Sequence, residues 1–266
     1  MKLKILHETL YHYDLPVRSL IQSLRLTPSA CDGQKTESWQ IDVTGGQRGP
    51  AFRDGAGDWV EGWTVRGPLD EITVHCSGVV ETTDLAGVLR GHREIIHPMA
   101  YLRTTAATAP DQALRDLATA ASGDTALDLA HRLSGAVADA ITYRPGVTDA
   151  RTTAAEALAL GEGVCQDHAH ALIAVARLRD LPARYVSGYL HSTIDGTPHD
   201  AAHAWAEIHI QGLGWVGFDA ANRCCPDDRY VRLGSGLDSS DAAPIRGMRA
   251  GPGAEMLAVT VKVDEL

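Results

Sequence analysis

Basic runs, long apolar runs and paired cysteines are all missing from this chain of 266 residues. Acidic residues outnumber basic ones, 34 to 24, for a formal net charge of -10. An acidic chain without a basic stretch is a poor match for nucleic acid or an anionic membrane surface. No stretch approaches the roughly 18 apolar residues that a membrane-spanning helix needs. The opening MKLKILHETL is interrupted by Glu8, so no apolar signal-peptide core forms and none is expected. The five cysteines, Cys31, Cys76, Cys165, Cys224 and Cys225, are odd in number and irregularly spaced. A disulfide framework is therefore not expected, and a reducing cytoplasm is the expected home. Aromatics are sparse at 5%, while 44% of residues are hydrophobic and 22% charged, an ordinary composition for a packed chain. The length allows one large domain or two small ones.

What is present divides into three stretches. The first hundred residues read as strands and turns. In SWQIDVTGG, Trp39, Ile41 and Val43 share one face before a Gly-Gly turn. In EITVHCSGVV, Ile72, Val74 and Cys76 do the same, which places Cys76 in a core. An all-β module over residues 1–105 is expected. The pattern then becomes helical. Pro110 stands where a first helical turn tolerates proline. Ala126, Leu129, Ala130, Leu133, Val137 and Ile141 recur at helical spacing. Thr153 with Glu156 forms a capping-box pattern, and Gly161 and Gly163 stop that short helix. Cys165 opens the next helix, which Pro182 ends. After it, ARYVSGYL, HAWAEIHI, GWVGFDA and LAVTVKV alternate as strands, and residues 232–253 read as a loop rich in Gly, Ser, Asp and Pro. The fold class is α+β: an N-terminal β-sandwich-like module, then a second unit over 106–266 with helices packed on an antiparallel sheet.

Cys165 invites three readings: a buried small hydrophobe, a metal ligand or a nucleophile. A helix N-terminus carries unpaired N–H groups and partial positive charge. Such a place favours thiolate over thiol, and its N–H groups can donate to an oxyanion. His168 and His170 are near in sequence, but side chains further along a helix do not cover its N-terminal face. A base from a separate element suits better. His203 heads the polar face of HAWAEIHI, with Trp205, Glu207 and His209. Asp219 ends the following strand. A hairpin through residues 211–214 pairs positions summing to about 425, so His203 faces residue 222 and Asp219 lies about three residues off register. A bulge or an imprecise turn would have to absorb that. A zinc site from His168, His170, Cys224 and Cys225 is disfavoured. Adjacent cysteines lack the usual bite, and His at i and i+2 point to different helix faces.

The elements GVCQDHAH, LPARYVSGYL, HAWAEIHI and GWVGFDAAN, in this order, resemble the core of the transglutaminase-like superfamily, in particular its bacterial members read as cysteine peptidases. The opening YHYDLPVRSLIQSLRLTP resembles the β region that precedes this core in those proteins. The resemblance implies a papain-like core with Cys165 as nucleophile, His203 as base and Asp219 as the acid that orients it. Gln166, Trp205, Tyr185 and Asn222 are then candidates for substrate or oxyanion contacts, each with a plain packing alternative. The implied activity is a thiol-dependent acyl transfer on a peptide or protein substrate, without metal or cofactor. Hydrolysis is favoured, with glutamine transamidation, deamidation or a non-catalytic binding module as alternatives. Two departures stand out: His168 where an aromatic or apolar residue is expected, and Asp219-Ala220-Ala221-Asn222 where Asp-Pro-Thr-Asn is expected. Oligomeric state is not legible.

Overall fold

A computed structural model describes residues 1–191 and 202–266. Its N-terminal part is built on two long strands, β1 (Lys2–Leu24) and β4 (Trp59–Thr82), with β2 (Gln34–Val43) and β3 (Gly46–Arg53) beside β4. The first part of β1 buries Leu3, Ile5, His7, Thr9, Tyr11 and Tyr13, every second residue, as a strand with one covered face must. Register shifts between His12 and Ser19 then change the phase, and Leu20, Gln22 and Leu24 face inward instead. Strand β1 thereby serves both halves of one sheet around one apolar core.

The helical part begins later than Pro110. Asp111 caps α1 (Gln112–Ala120), accepting from the Leu114 N–H at 2.9 Å, so the proline lies just outside. Helix α2 (Ala126–Ala140) is capped by Thr125, and a two-residue strand β5 (Thr142–Tyr143) follows. The capping box expected at Thr153 and Glu156 is present on α3 (Ala154–Leu160), with reciprocal bonds of 2.9 and 3.3 Å. Gly161 ends α3 at φ 71°, where the left-handed region favours glycine. Strand β6 (Glu162–Gly163) pairs in parallel with β5, and α4 (Cys165–Leu178) starts at once. Residues 167–177 of α4 are all buried, with α1, α2 and α3 around it and a sheet beneath. That sheet comprises β7 (Ala183–Leu190), β8 (Ala202–Ile210), β9 (Gly214–Phe218) and β10 (Tyr230–Gly236), ordered β10-β7-β8-β9 and antiparallel throughout. Ala204, Ala206, Ile208 and Ile210 of β8 join the helical core, which leaves His203, Trp205, Glu207 and His209 on the other face.

Residues 232–253 are not the single loop their composition implies. They hold most of β10 and all of β11 (Ile245–Ala250). Strand β10 is buried along its whole length, and a Cβ on Gly236 would meet the Ala242 backbone nitrogen at 2.6 Å. Close packing between layers here overrides weak strand propensity. Strands β11 and β12 (Glu255–Glu265) both pair with β1, so the C-terminal strands of the chain lie in the first sheet.

Tyr189, Val231 and Leu233 of the second sheet sit in the core of the first. Beside them lies a buried ionic network. Arg232 pairs with Asp58 at 2.8 Å and Glu207 at 2.9 Å, and Glu207 pairs with Arg184 at 2.7 Å. Arg184 is fully buried, with its guanidinium 4.0 Å from the Trp215 ring centroid. No helix among the described residues is long and apolar enough to cross a membrane.

Candidate active site

Cys165 is the first residue of α4, preceded by Val164 at the N-cap. Valine has no side-chain acceptor, so Asp167 supplies the cap, its Oδ2 accepting from the Val164 N–H at 2.7 Å and from Thr148 Oγ1 at 2.6 Å. A Cβ on Gly163 would lie 2.7 Å from that carboxylate. Gly163 therefore makes room for the cap. Cys165 and Gln166 occupy the first two helical positions, whose N–H groups have no partner within a helix. The half-buried thiol thus lies at the positive end of a rigid, centrally packed helix.

His203 comes from the start of β8. Its Nε2 donates to Asp219 Oδ2 at 2.6 Å, and Cys165, at the start of α4, is the other side chain that acts on its charge. The β8–β9 ladder is regular, from Ile210↔Gly214 to Ala206↔Phe218, so opposite positions sum to 424. No bulge is needed. Continued past its last pair, the ladder sets Asp219 opposite Trp205 and diagonal to His203 on the same face, a separation that side chains span. Asp219 then leaves the strand. Reciprocal backbone bonds to Cys224, of 2.8 and 3.1 Å, close the turn that holds it, with Arg223 in the left-handed region at φ 55°.

Asp219 is 1% exposed and fully engaged. Its Oδ2 also accepts from Asn222 Nδ2 at 2.7 Å and from the Tyr230 hydroxyl at 2.8 Å, and its Oδ1 from the Asn222 N–H at 3.1 Å. Burial on its own would raise this carboxyl, but the bonds from His203, Asn222 and Tyr230 hold it below its ordinary value. His203 shows the same contest. Burial lowers its pKa, and its bond to Asp219, with Cys165 nearby, overcomes this and pushes it up to about 10. An imidazolium beside the Asp219 carboxylate is the charge state this arrangement favours.

The remaining candidates fall in different places. Asn222 belongs to the site through its clamp on Asp219. Trp205 is 3% exposed and packs with Val186 and Tyr230, its ring 6.4 Å from that of His203, so it backs the imidazole and offers no face to substrate. Tyr185 is 5% exposed within the helical core beside His170. Burial first, then the charges of Cys165 and Asp167, raise its hydroxyl well above the usual range, so it lies under the thiol as packing. Gln166 turns its amide to the Asp149 carbonyl at 3.4 Å, away from the imidazole. His168 bridges the carbonyls of Val164 and Ile141, each at 2.9 Å, and His170 accepts from the Ser239 N–H at 3.1 Å; neither partners Cys165. Among the described residues no group of three or more His, Cys, Asp or Glu side chains is placed to hold a metal ion. Two participants escaped the sequence reading. Asp167 could have been found as the acid three residues after an N-cap. Tyr230 carried no signal, because its strand lies in a stretch that reads mostly as loop.

Residues 112–220 match the transglutaminase-like superfamily, and residues 3–81 match the bacterial transglutaminase-like N-terminal region. An uncharacterised protein of Mycobacterium leprae is 30% identical over 283 residues, covering 100% of this chain and 99% of that protein. An uncharacterised protein of Mycobacterium tuberculosis is 42% identical over 118 residues, 40% of this chain and 37% of that protein. In fold, the chain is similar to "a Putative Cysteine Protease from Cytophaga hutchinsonii", with a TM-score of 0.76 and 21% identity over 99% of this chain and 90% of that one.

Proposed function

The chain belongs to the transglutaminase-like superfamily, and on that footing we propose that it is a cysteine-dependent acyl-transfer enzyme that hydrolyses a peptide or amide bond. The observation that carries the reading is His203 bonded to the buried Asp219 at 2.6 Å and acted on by Cys165 at the start of α4. Cys165 gives its proton to His203 and attacks the substrate carbonyl. The N–H groups at the start of α4 donate to the oxyanion that forms. His203 then protonates the leaving amine as the carbon–nitrogen bond breaks, leaving a thioester on Cys165. Water, deprotonated by His203, adds to the thioester, and the carboxylate and the thiolate part. Asp219 keeps the imidazole turned to the thiol and stabilises its positive charge throughout.

The test uses a pool of acetylated peptide amides with the purified chain, and the intact mass of the protein read at early times. The expected result is an acyl adduct on Cys165 that hydroxylamine releases as a hydroxamate, absent in Cys165→Ala. Amide cleavage that persists unchanged in Cys165→Ala would overturn the reading.

A further inference from the structure

Tyr230 meets Asp219 at the same oxygen as His203, its ring 5.9 Å from the imidazole, and its place in the chain ties it to the N-terminal sheet. It opens β10, and the residues two before and two after it are both held by that sheet. On one side, the Met1 ammonium lies 3.3 Å from the Asp228 carboxylate, and the Thr82 hydroxyl donates to the Asp228 carbonyl. On the other, Gln34 grips the backbone of Arg232 at both ends. Its Nε2 donates to the Arg232 carbonyl at 2.8 Å, and its Oε1 accepts the Arg232 N–H at 2.9 Å, as a neighbouring strand would. The Ser29 N–H donates to the same carbonyl at 2.9 Å, and Asp58 takes the guanidinium. All these partners are from the N-terminal sheet or its turns. Between the two anchored points, the Tyr230 ring packs against Trp205 at 5.5 Å, edge to face, and its hydroxyl donates to Asp219.

We propose that Tyr230 is a positioning residue for the acid of the site, and that the N-terminal module holds it there by fixing β10 at Asp228 and Arg232. The module thus does more than cover the second sheet. It sets where the Asp219 carboxylate stands, and through it the orientation and charge of His203. The inference rests on the reading of Cys165, His203 and Asp219 given above. Among the described residues few titratable groups surround the pair: Cys165 from α4, Tyr230 on the same carboxylate oxygen as the imidazole, Cys224 beside Tyr230, and Asp227 and Arg229 beyond Cys224. The Cys224 thiol is 3.3 Å from the Tyr230 hydroxyl and can compete with Asp219 for it.

The experiment follows alkylation of Cys165 by iodoacetamide as a function of pH, read on the Cys165 peptide by mass spectrometry so that the other thiols do not interfere. It uses the full chain and needs no substrate. Loss of one hydrogen bond to a charged group moves a titration by about one pH unit. Tyr230→Phe is expected to shift the midpoint of alkylation upward by about that much, because a looser acid holds the imidazolium less well. Gln34→Ala, which touches no residue of the site, is expected to shift it in the same direction by less. In the Tyr230→Phe background, the Gln34→Ala shift should vanish, since the module has then lost its means of action. An unchanged midpoint in a folded Tyr230→Phe chain would overturn the proposal. So would a Gln34→Ala shift of equal size in both backgrounds. His203→Ala separates the two levels of argument: if it leaves the midpoint where it was, the triad reading itself fails; if it moves the midpoint while Tyr230→Phe does not, only the present inference fails.

Discussion

Two buried histidines on opposite sides of the second sheet are pushed in opposite directions. His170, in the helical core, is lowered to about 4, chiefly because burial penalises its charge. Its Nδ1 has no partner among the described residues. His203, its side chain 8% exposed, meets a similar penalty, yet Asp219 and Cys165 carry it up to about 10. Burial therefore does not decide what a histidine can do here. The difference is a carboxylate partner, Asp219, which His203 first and then Asn222 and Tyr230 hold below its ordinary value. A site for acid–base work is distinguished from a packing histidine by the chain of donors behind its partner.

That contrast can be broken most severely at His203 itself. His203→Ala is expected to lower acyl transfer by about 10²–10⁴-fold, the usual worth of a positioned acid–base group, measured as kcat/KM on a cleaved peptide amide. His170→Gln should leave that constant nearly unchanged. The brace behind the acid is the next target. Arg232 is 5% exposed and serves both Asp58 and Glu207. Arg232→Met takes this cation from buried Asp58 and leaves Glu207 with Arg184, and should cost about 3–5 kcal/mol in urea unfolding.

The pH dependence of stability should separate the two histidines by sign. His203 is raised on folding, so its contribution is fully present below its unfolded value near 6.5 and is lost as pH climbs towards about 10. His170 is lowered, so the native state is favoured while it is neutral, and stability falls as pH drops from about 6.5 towards about 4. Denaturation midpoints across this range should lose their alkaline slope in His203→Gln and part of their acid slope in His170→Gln. The smallest effect is expected far from both histidines. Thr153→Ala removes half of the α3 capping box and should cost about 1 kcal/mol by thermal unfolding, with the pH profile of Cys165 unaltered.

The α+β class, with helices on an antiparallel sheet, was legible in the sequence. Cys165, His203 and Asp219 were singled out by the family resemblance, with the pattern of their elements in support. The β8–β9 hairpin could even be registered to within one position of the observed pairing, because its short turn leaves little freedom. What stayed hidden depends on contacts between segments far apart in the chain. Tyr230 reaches Asp219 only because β10 is packed from both sides, and no local pattern marks it. The return of β11 and β12 to β1 is equally non-local: LAVTVKV announces a strand but not its partner. Trp205 and Tyr185 are both packed in cores, and their aromatic character alone could not say whether they face solvent or core.

The most direct measurement is the side-chain titration of His203 by nitrogen-15 NMR in the full chain, assigned by comparison with His203→Gln. The expected result is an imidazolium that persists through neutral pH and titrates at about 10, falling towards the ordinary value when Asp219→Asn removes its partner's charge. A neutral His203 at pH 7, titrating low as a merely buried histidine does, would contradict the assignment of Cys165, His203 and Asp219 as one catalytic unit.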